Sequence, residues 1–293
     1  MMPPVLRPRR SFLYMPGSNP KVLANGRKLP ADGVILDLED SVAPEMKEMA
    51  RSQVAAAIAE GGFGGREVAV RINGFDTPWA TDDIAAAVGA DAILLPKIDG
   101  PDPILKADAL LAAAGSQAAI WCMMETPRAI LRAPEIAACS PRLHGFAMGT
   151  SDLAKDLHCA HTPDRQPMMT ALGLCILAAR AEGLVILDGV YTDLTDEAGY
   201  EASCRQGADL GFDGKTVIHP KQIAPANRAY APSADAVIWS RRIIEAFAEA
   251  ARDGKGVVLV EGKLVEKLHV EDARRLIVLA EAAAALEAAA AQN

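Results

Sequence analysis

The chain has 293 residues, 51% of them hydrophobic, 4% aromatic and 23% charged, and its 30 Lys and Arg against 38 Asp and Glu give a formal net charge of -8. That apolar content excludes a disordered chain, and the acidic balance excludes a general nucleic-acid binder, which needs surplus Lys and Arg against phosphate. An anionic small molecule stays open, because it responds to the local field of a cleft rather than to net charge.

Read from the start, Met1, Met2, Pro3 and Pro4 precede Arg7, Arg9 and Arg10 with no apolar signal core, and no uninterrupted apolar stretch is long enough for a membrane span. The expected location is therefore the cytoplasm, with no membrane partner. Eight short apolar runs come next, at residues 11–15, 33–38, 67–72, 92–96, 119–124, 143–148, 184–187 and 214–218. Each is too short for a helix and rich in Val, Ile, Leu or Met, as suits strands buried on both faces of a parallel sheet. Between them lie Ala-, Glu-, Lys- and Arg-rich segments of helical spacing, such as 45–59 and 167–182. This alternation predicts an α/β fold, a (β/α)₈ barrel, with an open doubly wound sheet as the alternative. The glycine-rich loop at 60–65 lacks the phosphate-cradling pattern. Residues 1–230 form the expected barrel domain and 231–293 a C-terminal extension. That extension reads as a helix at 234–251, a short strand at 257–260, a turn at 261–263 and an Ala-rich helix at 269–291. Cys122, Cys139, Cys159, Cys175 and Cys204 are odd in number and scattered, which suits reduced thiols, with Cys159 the exposed one.

Polar residues recur where the apolar runs end. Asp37, Glu39 and Asp40 follow the second run, Arg71 and Asn73 end the third, and Lys97 ends the fourth. Glu125 ends the fifth, Ser151 and Asp152 follow the sixth, Asp188 ends the seventh and His219 the eighth. The C-terminal ends of parallel barrel strands open onto one face, where barrel enzymes carry their sites. Glu125 and Asp152, on adjacent strands with no His or Cys beside them, suit Mg²⁺; alternatively Asp152 caps a helix and Glu125 pairs with Arg128. Arg71 can hold a substrate carboxylate bidentately or pair with Asp37 or Glu39. Lys97 can form a Schiff base if desolvated, or stay protonated among the acids. His158-Cys159-Ala160-His161 lacks the second ligand pair of structural zinc and reads as a surface loop, in position to line the mouth of the site. No nucleophile-elbow motif supports serine hydrolysis.

Several segments together resemble a known family: Ser11-Phe12-Leu13-Tyr14-Met15-Pro16-Gly17-Ser18, Leu36-Asp37-Leu38-Glu39-Asp40, Val70-Arg71-Ile72-Asn73, Leu95-Pro96-Lys97, Glu125-Thr126-Pro127-Arg128, Ser151-Asp152-Leu153-Ala154-Lys155 and Ile218-His219-Pro220. They are similar, in order, to the citrate lyase beta-subunit-like branch of the HpcH/HpaI aldolase superfamily, which includes malyl-CoA and citramalyl-CoA lyases. The resemblance implies a modified barrel that assembles as a homotrimer or homohexamer. It implies that Glu125 and Asp152 hold Mg²⁺ (or Mn²⁺), that Arg71 grips the carboxylate of a 2-keto acid beside Gly149, Thr150 and Ser151, and that Asp37, Glu39 and Lys97 form the surrounding polar network. Pro16, Gly17, Lys21, Lys28, Ile218 and Pro220 would border the CoA groove, with Arg27 as a further phosphate contact. The family often carries an Asp near its C-terminus, supplied across a subunit interface, where this chain has Glu266; Leu268 replaces a nearby Pro, and Ser151 stands where relatives have an acid. The implied reaction is Mg²⁺-dependent cleavage of a β-hydroxyacyl-CoA to acetyl-CoA and a 2-keto acid, with Glu266 in proton transfer. The alternatives are a malyl-CoA-type thioesterase and a non-catalytic CoA-ester-binding or lyase-complex subunit.

Overall fold

The eight apolar runs are strands in the computed structural model, which describes residues 6–291. They are β1 (Ser11–Pro16), β2 (Gly33–Asp37), β3 (Glu67–Arg71), β4 (Ala92–Leu95), β5 (Ala119–Met124), β6 (Leu143–Met148), β7 (Val185–Asp188) and β8 (Gly214–Val217). All pair in parallel in chain order, and β8 returns to β1, closing the barrel. The open-sheet alternative is excluded. The seventh run sits one residue later than its hydropathy indicates, so that Asp188 ends the strand.

Alternation along each strand sorts side chains between two cores. Phe12, Ile35, Ala69, Leu94, Trp121, Ala147 and Leu187 point into the barrel. Their neighbours Leu13, Leu36, Val70, Ile93, Cys122, Phe146 and Ile186 pack in the larger cluster under the helices. The composition suggests aliphatic layers alone inside the barrel, but Phe12 and Trp121 stack there with ring centroids 5.5 Å apart. Gly145 makes this possible: a Cβ there would meet the indole at 2.9 Å. Below the strands, Arg9 pairs with Glu67 at 2.5 Å and Arg10 with Asp32 at 2.8 Å, all four side chains buried.

The described residues divide into two compact units, one of residues 9–230 and a second of residues 6–8 together with 231–291. The second holds the helix Ala234–Arg252, the strands β9 (Val257–Val260) and β10 (Lys263–Glu266), and the helix Lys267–Ala291. Its own core gathers Ile243, Val265, Val270 and Ala273, with Trp239 and Phe247 against them. The sequence pattern places residue 263 in a turn; instead it starts β10, which pairs antiparallel with β9. The turn is only Glu261 and Gly262, with φ of 50° and 79°, as a tight two-residue hairpin requires. No helix among the described residues is long and apolar enough to cross a membrane. All five cysteines are free, and Cys159 is half-buried against the core rather than exposed.

Candidate active site

Each strand end is fixed by the residues just beyond it. β5 stops at Met124 because Thr126 caps the next helix: its Oγ1 accepts from Ala129 N at 3.0 Å, and Pro127 takes the first turn, where a missing N–H is tolerated. Glu125 is left between strand and cap with 2% of its surface exposed. β6 stops at Gly149, which opens the helix Thr150–Asp156 and puts Asp152 in the first turn, where negative charge is favoured. A Cβ on Gly149 would stand 2.4 Å from both Cβ and Oε2 of Glu125, so the glycine lets the backbone lie against that carboxylate. Arg128 reaches toward Asp99 rather than Glu125, and Gly149, not Asp152, is the cap residue.

On β2 and β3 the register sets Asp37 opposite Arg71. Arg71 donates Nε to Asp37 Oδ1 and Nη2 to Oδ2, both at 2.7 Å, and its Nη1 lies 3.1 Å from Glu39 Oε2. Burial pushes the Asp37 carboxyl up, but the charge and hydrogen bonds of Arg71 outweigh it and hold Asp37 below the usual carboxylate value. The ring of Tyr14 lies 4.8 Å from the guanidinium. Glu39 titrates above its ordinary value, because burial outweighs Arg71 and Lys97 and Asp40 adds to the rise.

Lys97 follows β4 in the left-handed backbone region, with φ of 49°. Its backbone N–H donates to Glu125 Oε1 at 2.6 Å, and its ammonium donates to Glu39 and, at 3.1 Å, to Asp40 Oδ1. Burial lowers its pKa, but the two carboxylates outweigh burial and raise it well above the usual lysine value. Such an amine stays protonated, which removes the Schiff-base reading.

Glu125 is the opposite case. Burial pushes it up to about 7, and the charges of Asp152 and Glu39 add to the rise against Lys97 N–H and Arg71. Asp152 is half-buried, and its side chain has no ion pair or hydrogen bond among the described residues. A buried carboxylate raised by a second, unanswered one fits a hard cation, which would relieve both. Among the described residues no group of three or more His, Cys, Asp or Glu is arranged as a ligand set. Glu125 and Asp152 could together supply two oxygen ligands, which suits Mg²⁺, an ion that keeps waters and takes substrate oxygens. Arg71, Asp37, Glu125 and Asp152 line one cavity of 350 Å³ with Gly149, Thr150, Ser151 and Ile218.

Pro16 ends β1, Gly17 N donates to Asp37 O at 2.8 Å, and Lys21 and Lys28 lie exposed in and just after the helix Pro20–Gly26. Ile218 and Pro220 follow β8, which pairs with β1, so these residues share one sector of the barrel. Arg27 pairs with Glu60 at 2.7 Å and lies over the Phe63 ring. His219 caps a short helix, its Nδ1 accepting from Lys221 N at 3.2 Å. Asp188 is wholly buried on Lys215 and Arg165 and does not line this cavity. Glu266 belongs to the C-terminal unit, where its N–H donates to His269 Nδ1 at 3.0 Å. Sequence reasoning missed the contact of Tyr14 with Arg71, although the alternation of β1 points it inward with Phe12. It also missed Lys47, whose buried ammonium donates to the carbonyls of Leu38 and Glu39 at 2.8 Å each. Nothing in the sequence separates Lys47 from an ordinary surface lysine of a helix.

A closed parallel barrel with carboxylates and an arginine at the C-terminal rim defines a barrel enzyme class. The family model for HpcH/HpaI aldolase/citrate lyase matches residues 10–220, and the chain belongs to that family. It is 46% identical over 283 residues to a (3S)-malyl-CoA thioesterase of Cereibacter sphaeroides, covering 96% of this chain and 98% of that protein. It is 34% identical over 307 residues to the L-malyl-CoA/beta-methylmalyl-CoA lyase of the same species, covering 95% and 96%. The CitE protein of Mycobacterium tuberculosis, solved in complex with magnesium, acetoacetate and coenzyme A, superposes with a TM-score of 0.73 at 30% identity, covering 92% of this chain and 97% of that one.

Proposed function

We propose that this chain is a magnesium-dependent enzyme of malyl-type CoA esters, and that it hydrolyses the thioester to the free hydroxy acid and CoA. The observation that carries the metal is Glu125 beside Asp152: a buried carboxyl pushed up to about 7 next to an acid with no partner, in a cavity that also contains Arg71. The choice of hydrolysis rests on the thioesterase relative, which is 46% identical across nearly its whole length.

Glu125 and Asp152 would hold Mg²⁺, or Mn²⁺ in its place, and the ion would supply Lewis-acid polarisation of the bound oxygens. Arg71 keeps two of its five N–H groups beyond those engaged by Asp37 and Glu39, and these grip the substrate carboxylate beside Gly149, Thr150 and Ser151. Asp37 and Glu39 hold the guanidinium, and Lys97 holds Glu125 through its backbone N–H and Glu39 through its ammonium. The CoA portion would run past Pro16, Gly17, Ile218 and Pro220, with its phosphates toward Lys21 and Lys28. Glu266 moves the proton, reaching the site of a neighbouring copy in a homotrimer or homohexamer. If so, mixing an Arg71 variant with a Glu266→Gln variant restores activity; if each site is built from one chain, the mixture stays inactive.

The second reading is carbon–carbon cleavage to acetyl-CoA and a 2-keto acid, favoured by the relative named a malyl-CoA lyase. Incubating (3S)-malyl-CoA with the protein and Mg²⁺ separates the two. Free thiol with malate supports hydrolysis; acetyl-CoA with glyoxylate supports cleavage. No Mg²⁺-dependent turnover of malyl- or citramalyl-CoA would sink both and leave a CoA-ester-binding or complex-forming subunit.

A further inference from the structure

A second cavity, of 210 Å³, adjoins the reaction cavity and shares Thr150, Ser151 and Val190 with it. Two cations line it that have no part in the chemistry above. Lys215, on β8, is 1% exposed, and Arg165, in the loop after the helix Thr150–Asp156, is 8% exposed. Asp188 sits between them, accepting from Arg165 Nη1 at 2.6 Å and from Lys215 Nζ at 2.8 Å. Burial pushes Asp188 up, but Lys215 and Arg165 outweigh it and keep it below the usual carboxylate value, so it is ionised. One buried carboxylate thus answers two buried cations, and one positive charge is left over. Asp193 also lines the cavity, but its carboxylate is exposed, so solvent screens its charge from the buried trio.

The surplus is localised on Arg165. Its Nε donates to Gln206 Oε1 at 2.7 Å, Gln206 is itself tied to Asp164 O at 2.7 Å, and Nη1 is given to Asp188. Its Nη2 is buried and has no hydrogen-bond partner among the described residues. Arg165 also holds a left-handed backbone, with φ of 55°, which is unfavourable for a residue other than glycine. An unanswered guanidinium nitrogen on a strained, clamped residue is a double cost to folding, and an anion that enters the adjoining cavity and reaches this guanidinium would remove the first part of it.

We propose that this second cavity is a carboxylate subsite, in which Arg165 and Lys215 hold a small monoanionic acid beside the reaction cavity. Its single uncompensated charge fits a monoanionic carboxylate rather than a doubly charged phosphoryl group. The subsite does not depend on which bond of the CoA ester is broken.

The test is calorimetric titration of the full chain with acetate, and separately with inorganic phosphate, at constant ionic strength and in excess EDTA so that no metal-bound acid contributes. Acetate should bind the wild type saturably and bind Asp152→Asn equally well. It should bind at least tenfold more weakly to Arg165→Gln, which removes the surplus cation and leaves Asp188 paired with Lys215. Should that variant not fold, Thr162 also lines the cavity, and Thr162→Phe fills it without removing a charge and must weaken acetate binding likewise. No saturable acetate binding to the wild type, equal binding to the cavity variants, or binding of phosphate but not acetate would each overturn the proposal.

Discussion

The two ends of the barrel use the same residue types to different effect. Below the strands, Arg9 meets Glu67 and Arg10 meets Asp32, cation for anion, and the end is closed. At the other end Arg71 and Lys97 are engaged by Asp37, Glu39 and Asp40, while Glu125 and Asp152 have no side-chain cation of their own. Buried charges that cancel locally hold a structure; buried charges that do not cancel mark a place where a ligand completes the set. The excess of acid over base in the composition is thus visible at one rim.

Breaking a matched pair at either end should cost stability, and only one end should also cost function. Arg71→Met leaves Asp37 charged and buried, so unfolding free energy should fall by about 3–5 kcal/mol. Turnover should fall by roughly three orders of magnitude, as expected for loss of a key electrostatic contact. Arg10→Met leaves Asp32 in the same position and should lose a similar amount, about 3–5 kcal/mol, yet keep its kcat/KM once folded. Denaturant unfolding and kinetics on both variants check this; a large fall in kcat/KM for the folded Arg10 variant would erase the distinction.

The unmatched end also predicts a pH dependence. Glu125 is raised from 4.5 to about 7 in the folded, metal-free chain, so the native state binds more protons than the unfolded one across that range. Its contribution is present below pH 4.5 and is lost as pH rises through about 7, with a size on the order of 3 kcal/mol. Glu125→Gln should flatten that slope in EDTA, and Mg²⁺ should stabilise the wild type increasingly as pH rises. An unchanged slope in the variant would mean that Glu125 is not the group responsible. Gly149→Ala should act more locally, pushing Glu125 aside and weakening Mg²⁺ binding by about 10–100-fold with a smaller effect on folding. The smallest effect belongs to Lys21→Ala and Lys28→Ala. These should weaken CoA binding by about 1 kcal/mol or less each, and less still at high salt.

The barrel was legible in the sequence because eight two-sided strands leave short apolar runs, and polar residues stand out against them at the ends. That contrast and the motifs around them single out Arg71, Glu125 and Asp152, which line one cavity. The rest was hidden because it depended on groups distant in sequence. Lys47 is a helix lysine until β2 is folded beneath it, and Arg165 is a loop residue until Asp188 and Gln206 fix it. β10 was missed because Lys263-Leu264-Val265-Glu266 has too little pattern to be read without its partner strand. Asp188 looked like one more acid of the rim, since a strand-end carboxylate carries no sign of the cations that neutralise it.

The proposed cation site of Glu125 and Asp152 should drive chemistry on a CoA ester. Turnover of (3S)-malyl-CoA should therefore be measured against Mg²⁺ concentration for the wild type and Asp152→Asn, with free thiol, acetyl-CoA and malate followed together. The expected result is no turnover in EDTA, saturable activation by Mg²⁺ yielding free thiol and malate, and a strongly raised Mg²⁺ requirement in the variant. Equal turnover in EDTA, or an unchanged Mg²⁺ requirement in Asp152→Asn, would contradict that claim.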